Sequence, residues 1–218
     1  SETRKEVFDC LKEKGKRPVD YLNSIGFLSS RVIASHCVWL TKQEVKTLAK
    51  NNVKVAHDPV SNMKLASGGI TPVKEMLENN VVVSLGTDGA SSNNSLNLLE
   101  TMKVTCLVHK AHRWDATVIT AQQALDFATR NGATSLGLNT GSIEVGKTAD
   151  IVLIDLKAAN LNPHHNLVSN LVYSSNPSNV TDVIIDGKLV MEDRKILTID
   201  EEKTIEEAQK ISQDLISR

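Results

Sequence analysis

Four side chains suited to proton transfer or metal binding recur at one kind of place in this sequence. His36, His57 and Asp88 each follow a short apolar, β-branched run, and Glu2 lies just ahead of the first helical stretch, where a preceding strand would end. In a parallel sheet or barrel built of βα units, the C-terminal strand ends face the active site. A single polar residue at such an end is ordinarily a satisfied hydrogen-bonding group. Imidazoles and carboxylates at four consecutive ends make acid/base or metal chemistry the better reading, because both groups exchange protons and both ligate cations.

Other candidates carry less. His109 and His112 stand three apart on a predicted helix and read as an exposed or partner-facing pair rather than a metal pair. His164 and His165 fall in a loop after Pro163, and adjacent histidines point different ways. Ser91 and Ser92 have no base in a triad-like arrangement and read as loop and cap residues. The run Gly68-Gly69-Ile70-Thr71-Pro72 has the composition of an anion-binding helix start, but its simpler reading is a turn.

The elements that must position these residues alternate between β-branched runs and amphipathic stretches up to about residue 112, the pattern of successive βα units. Strands are predicted at Val32–Ala34, Val53–Ala56 and Val81–Leu85. Thr3 with Glu6, and Thr41 with Glu44, have the spacing of helix capping boxes. Thr71 and Pro72 suit the N-cap and first position of the next helix, and a longer helix runs from Leu96 to His112. Thr120 and Gln123 cap a further helix, after which the character changes. Ile151–Ile154, Val180–Ile185 and Lys188–Met191 read as strands of a second, antiparallel unit, the last two joined at Asp186-Gly187, a strong hairpin signal. Thr204 to Arg218 reads as an amphipathic helix carrying Ile205, Ile211 and Leu215.

With 218 residues, 40% of them hydrophobic, the chain can bury a sizeable core in one large domain or one domain plus an appendage. Its 25 Lys and Arg against 26 Asp and Glu leave a net charge of -1. No global field therefore draws it to nucleic acid or an anionic membrane, and a small neutral substrate suits that balance. Cys10, Cys37 and Cys106 are odd in number and lack C-x-x-C spacing, which predicts reduced, buried thiols. The sequence has no apolar run of membrane-spanning length and no secretory signal pattern, so a cytoplasmic location is expected. It opens at Ser1 and enters a helix at once, from which an upstream segment is expected.

Four segments carry a resemblance. Ser-Glu-Thr at 1–3, Ser-His-Cys-Val-Trp-Leu at 35–40, His-Asp-Pro-Val-Ser-Asn-Met-Lys-Leu-Ala-Ser-Gly at 57–68 and Gly-Thr-Asp-Gly-Ala-Ser-Ser-Asn-Asn at 86–94 resemble the amidohydrolase superfamily. They are most similar to its branch of 5'-methylthioadenosine/S-adenosylhomocysteine deaminases, which includes 5'-deoxyadenosine deaminases. Residues 141–155 resemble the segment that leads from that family's barrel into its small β domain.

The resemblance implies an α/β fold: the C-terminal part of a metal-dependent (β/α)8 TIM barrel, strands 6 to 8 with their helices, over residues 1–140. Part of a composite β-sandwich follows over 141–200, then a C-terminal helix over 201–218. It implies hydrolytic deamination of adenine nucleosides, with Glu2, His36 and Asp88 catalytic, and with Glu2, His57 and Asn62 at the substrate. In the family one divalent metal, zinc by expectation with iron or another ion as alternatives, is held by a His-x-His pair, a further histidine and the aspartate matched by Asp88. Only Asp88 of that set occurs in this chain. By this reading Asp88 both ligates the metal and takes the proton of the attacking water, His36 steadies the attacking oxygen, and Glu2 protonates the ring nitrogen. The chain alone is expected to be inactive, and unpaired sheet edges predict a homo-oligomer or association with an N-terminal portion. Two alternatives stand beside this one: a related amidohydrolase acting on guanine, cytosine or a chlorotriazine, and a non-catalytic interaction module.

Overall fold

The computed structural model describes residues 1–217. A capping box between Thr3 and Glu6 starts α1 (Arg4–Lys14), and Gly15 ends it in the left-handed conformation, φ 67°. Pro18 at a first-turn position starts α2 (Pro18–Ser24). Strand β1 (Ile33–Ser35) follows, then α3 (Lys42–Lys50), which opens with the predicted Thr41–Glu44 capping box. Strand β2 (Lys54–His57) leads into α4 (Pro59–Lys64) and α5 (Val73–Glu78). Beyond β3 (Val83–Leu85) lie the short α6 (Ala90–Asn93) and the long α7 (Leu98–Arg113), capped by the Asn97 side chain.

The three strands form one parallel sheet in the order β1-β2-β3, with Ala34 opposite Val55 and Val55 opposite Val83. Hydrophobic burial explains the arrangement. Val45 and Leu48 of α3, Val73 and Met76 of α5, and Met102 and Cys106 of α7 close over Val55 and Val83 in one core. Helices α8 (Ala121–Ala128) and α9 (Arg130–Leu136) extend that core through Ala124 and Phe127 and flank β3. The sheet stays open: β1 and β3 are edges, and the described residues form no closed barrel.

A second sheet is antiparallel, in the order β4-β5-β6-β7, from β4 (Ile151–Ile154), β5 (Val180–Ile185), β6 (Lys188–Glu192) and β7 (Lys195–Ile196). Between β4 and β5, α10 (Leu167–Tyr173) docks Val172 into the main core. The predicted Asp186-Gly187 turn is present, with φ of 51° and 72°, and pairs Ile185 with Lys188. Helix α11 (Glu201–Ser217) buries none of its residues; Arg218, with which the sequence reading ended this helix, lies outside the described residues. Among the described residues, no helix is long and apolar enough to cross a membrane. Cys37 and Cys106 are buried and Cys10 is partly so, all three as free thiols.

One expectation fails at α5. Pro72, not Thr71, is the N-cap residue, because the Thr71 hydroxyl donates instead to the His36 carbonyl at 2.7 Å. A tertiary contact has displaced a local cap.

Glu44 anchors the edge of this layer. Its carboxylate is wholly buried and accepts from Arg17 Nε at 2.7 Å and from the Thr41 N–H at 2.9 Å, while Arg17 also donates to the Trp39 carbonyl. A buried charge that loses its partner is costly. Arg17→Ala should lower stability by about 3–5 kcal/mol in urea unfolding, and the double change Arg17→Met with Glu44→Leu should recover much of that loss. A single variant as stable as the parent would show that the pair is not the anchor.

Candidate active site

Glu2, His36, Asn62 and Asp88 meet at the C-terminal ends of the three parallel strands. Glu2 is strapped down on two sides: Ser67 Oγ donates to its Oε1 at 3.2 Å, and the Trp39 N–H donates to the Ser1 carbonyl at 2.9 Å. The Trp39 indole N–H in turn holds the Ser67 carbonyl at 2.7 Å. Gly68 permits this packing. Its φ is 86°, and a Cβ there would lie 3.2 Å from the Trp39 ring.

His36 leaves β1 with φ 65°, and Cys37 follows with φ 51°, a strained pair for non-glycine residues. The His36 ring stands between two carboxylates, with Nε2 3.8 Å from Glu2 Oε2 and Nδ1 3.5 Å from Asp58 Oδ2. Asn62 on α4 brings its amide to Nδ1 at 2.9 Å. Asp88, exposed beyond β3 at φ 59°, accepts from the Ser61 hydroxyl at 2.6 Å and from the Gly89 N–H at 2.7 Å. Those donors, the Ser61 hydroxyl first, hold its carboxyl below the usual range, so it is an anion at neutral pH.

His57 is placed apart from this group. It is 2% exposed, and its Nε2 lies 3.1 Å from Nε2 of His109 on α7, itself 1% exposed. The expectation of an exposed His109–His112 pair is thereby corrected: His112 is exposed, but His109 turns into the core, where α7 packs against the end of β2. Burial, and then the other histidine, push the His57 pKa well below its ordinary value. Burial and the charge of Arg113 lower that of His109 to about 4. Both rings are neutral at pH 7, which lets one N–H donate to the other's lone pair.

Asp58 is the functional residue that sequence reasoning passed over, although it adjoins His57 in a segment already singled out. It is 4% exposed, and its Oδ2 accepts from the His36 N–H at 3.3 Å. Burial pushes its carboxyl above the ordinary range; His36 opposes that shift, and the negative charges of Asp88 and Glu2 add to it. Room for the carboxylate exists only because residue 86 is glycine: a Cβ there would fall 2.1 Å from Asp58 Oδ1. Ser61 and Ser67 also went unremarked, since serine in a polar loop carries no distinguishing signal.

A cavity of about 360 Å³ shares no residue with this group. It lies among Lys42, Lys46, Lys74 and the Glu75–Arg113 ion pair, and we assign it no part in the chemistry.

The arrangement now meets its relatives. The amidohydrolase family model matches residues 1–190. The chain belongs to the amidohydrolase family. It is 47% identical to the 5-methylthioadenosine/S-adenosylhomocysteine deaminase of Syntrophomonas wolfei, covering 100% of this chain and 51% of that protein. It is 46% identical to the 5'-deoxyadenosine deaminase of Methanosarcina barkeri, covering 100% of this chain and 50% of the relative. The chain thus spans about half the length of the curated relatives it matches. Among solved structures, a zinc-bound adenosine deaminase from Xanthomonas campestris superposes with a TM-score of 0.97 at 36% identity, over 100% of this chain and 50% of the other. An atrazine chlorohydrolase from Arthrobacter aurescens, complexed with zinc, shares the fold with a TM-score of 0.89 at 24% identity, over 94% of this chain and 46% of the other.

Amidohydrolase membership raises the question of a metal. A structural or catalytic zinc site takes three or four protein ligands. Among the described residues, no three His, Cys, Asp or Glu side chains converge to hold an ion. What this chain offers is one ionised, accessible carboxylate at a strand end, Asp88, which fits a single position of such a site.

The buried histidine pair sets a pH dependence. Unfolded histidine titrates near 6.5, whereas folded His109 titrates near 4, so between those values the unfolded chain binds more protons and stability falls as pH falls. From His109 alone the loss is about 2 kcal/mol by pH 5. In urea unfolding between pH 7 and 5, His109→Gln should show a flatter slope than the parent; equal slopes would rule out the buried pair as its source.

Proposed function

We propose that this chain is the C-terminal portion of a metal-dependent amidohydrolase that deaminates adenine nucleosides, such as 5'-methylthioadenosine, S-adenosylhomocysteine, 5'-deoxyadenosine or adenosine, to the inosine analogues and ammonia. One observation carries the reading. Glu2 and Asp58 bracket the His36 ring at the strand ends, with Asp88 held alongside through Ser61, in a chain whose relatives carry deaminase names. On this reading residues 1–140 are the last three strands and the helices of a (β/α)8 barrel. Residues 141–200 are part of a β-sandwich, and 201–218 a terminal helix.

In the reaction a C–O bond forms at the ring carbon that bears the exocyclic amine, and the C–N bond to that amine breaks. Asp88, with ligands from outside this chain, would hold a divalent cation, zinc by analogy with the zinc-bound structures above, and that ion would supply the acidity that lowers the pKa of water from about 16 to about 7. Asp88, an anion with lone pairs to spare, supplies one ligand and accepts the water proton. His36 orients the attacking oxygen. Glu2, fixed by Ser67, donates a proton to the adjacent ring nitrogen as the carbon becomes tetrahedral, takes the hydroxyl proton as the C=O bond forms and passes it to departing ammonia, and is restored by the proton that Asp88 accepted. Asn62 stands behind His36 and borders the substrate, as does the loop that follows His57.

Ammonia release should appear with an adenosine panel, in the complete protein that carries this chain, and should be weak with guanine, cytosine and chlorotriazines. Glu2→Gln should lower kcat by about 10²- to 10⁴-fold with metal content intact. Asp88→Asn should lower both metal content and activity. A protein that binds about one equivalent of metal yet deaminates none of the panel would sink the substrate assignment, and one that binds no metal would favour an interaction module.

The proposal extends to assembly, in the cytoplasm. The edges of the parallel sheet are open, and Val152 and Ile185 of the second sheet, with Ile205, Ile211 and Leu215 of α11, are exposed. Produced by itself, the 218-residue chain should self-associate on size-exclusion chromatography and lack deaminase activity. A well-behaved monomer with a sharp melting transition would contradict this.

A further inference from the structure

Asp58 occupies the N-cap position of α4, where an aspartate ordinarily accepts hydrogen bonds from its own helix, yet it makes no side-chain cap. The carboxylate is turned instead toward β1, onto the N–H and the Nδ1 edge of His36. Gly86 on the neighbouring strand end leaves the space that this orientation requires. A short helix has given up its cap, a carboxylate has been buried, and a glycine keeps the room. These features share one beneficiary, the imidazole of His36.

We propose that Asp58 is a positioning residue that fixes His36 as the Nδ1–H tautomer, so that an unprotonated Nε2 faces Glu2 and the space where the attacking oxygen must sit. A carboxylate 3.5 Å from Nδ1 favours a proton on that nitrogen. The proton then needs an acceptor, which Asn62 supplies. Rotating its amide by 180° exchanges oxygen for nitrogen without changing shape and places Oδ1, rather than Nδ2, against Nδ1. The same rotation answers a second observation. Asn62 Oδ1 and His57 Nδ1 are buried polar atoms without partners, and both residues line one small cavity. With the amide turned, an N–H donor replaces the partnerless oxygen in a cavity bordered by a partnerless ring nitrogen. His57 Nε2 and His109 Nε2, 3.1 Å apart, keep their own contact whichever way the amide is turned.

The inference rests on the proposed roles of His36 and Glu2, but its first test does not depend on activity. In the complete protein carrying this chain, labelled with ¹⁵N-histidine, the long-range ¹H–¹⁵N spectrum should show His36 with a protonated Nδ1 and a bare Nε2. Asp58→Asn should shift His36 toward the Nε2–H form. Gly86→Ala, which displaces the carboxylate without removing its charge, should move the His36 signal in the same direction. His36 found as the Nε2–H tautomer in the parent, or unchanged in both variants, would overturn the proposal. The second arm is kinetic: Asp58→Asn should lower kcat by about 10- to 100-fold with KM nearly unchanged, the range expected when a carboxylate that orients a functional imidazole is lost. A rise in KM with kcat intact would also overturn it. A parent protein without deaminase activity would refute the proposed function, leaving the tautomer measurement to decide the role of Asp58.

Discussion

At the end of β2 two adjacent residues do opposite work, and the rest of the site is arranged around them. Successive strand residues point to opposite faces of the sheet, so when His57 turns into the core, Asp58 is delivered to the other side. His57 is pinned there by His109 of α7. Asp58 reaches the end of β1, and the helix it begins carries Ser61 to Asp88 beyond β3 and Asn62 to His36 beyond β1. The central strand end thus ties both of its neighbours to a helix packed behind the sheet. A slip of one residue in the register of β2 would exchange the buried imidazole for the carboxylate and dismantle the group.

Holding that geometry strains the backbone. His36, Cys37 and Asp88 all have positive φ although none is glycine, and such conformations persist only where the surroundings over-determine them. The surroundings here do so. Cys37 is buried, with its thiol pushed up to about 12 by burial, and it stays an inert apolar filler beneath the turn. The His36 carbonyl is held by Thr71 and its N–H by the Ala56 carbonyl at 2.9 Å together with Asp58. Asp88 is fixed through both carboxylate oxygens, by Ser61 and Gly89. Two of these three, His36 and Asp88, are residues that the proposed reaction would use, and the hydrogen bonds that hold them come in part from Ser61 and Thr71, which look ordinary in the sequence.

This division explains what the sequence could and could not convey. The β-branched runs, the Thr3, Thr41 and Thr120 capping boxes and the Asp186-Gly187 turn are local signals, and each appears where it was read, within a residue or two. The strand-end placement of Glu2, His36 and Asp88 was also legible, because position at a strand end is a topological property that a pattern of βα units reveals; His57, read with them, turns into the core, and Asn62 came only from the family resemblance. Facing across space was not. His109 looked like half of an exposed pair because helical spacing relates it to His112, whereas its actual partner, His57, lies 52 residues away. Asp58 was hidden for a related reason. An aspartate before a proline reads as a helix cap, and only the fold shows that its carboxylate is directed elsewhere. The helices α9 and α10 went unread because their short runs lack strong periodicity and form by packing on the core.

The charge distribution at the strand ends carries the argument one step further. Glu2, Asp58 and Asp88 place three carboxyl groups around one imidazole, and the charges of Asp88 and Glu2 both raise the proton affinity of the buried Asp58. Lys64, the cation on α4, does not offset them, since it bonds to the Ser91 carbonyl and to Asn94. Like charges gathered in a partly desolvated place repel, and a fold tolerates them where a positive partner is to be received. Asp58 is shielded by His36 and Glu2 is engaged by Ser67, which leaves Asp88 as the exposed anion. A cation joining Asp88 would relieve the repulsion felt by the other two while leaving Glu2 free to exchange a proton. On the proposed reading, that exposed carboxylate is the part of a cation site that this chain contributes.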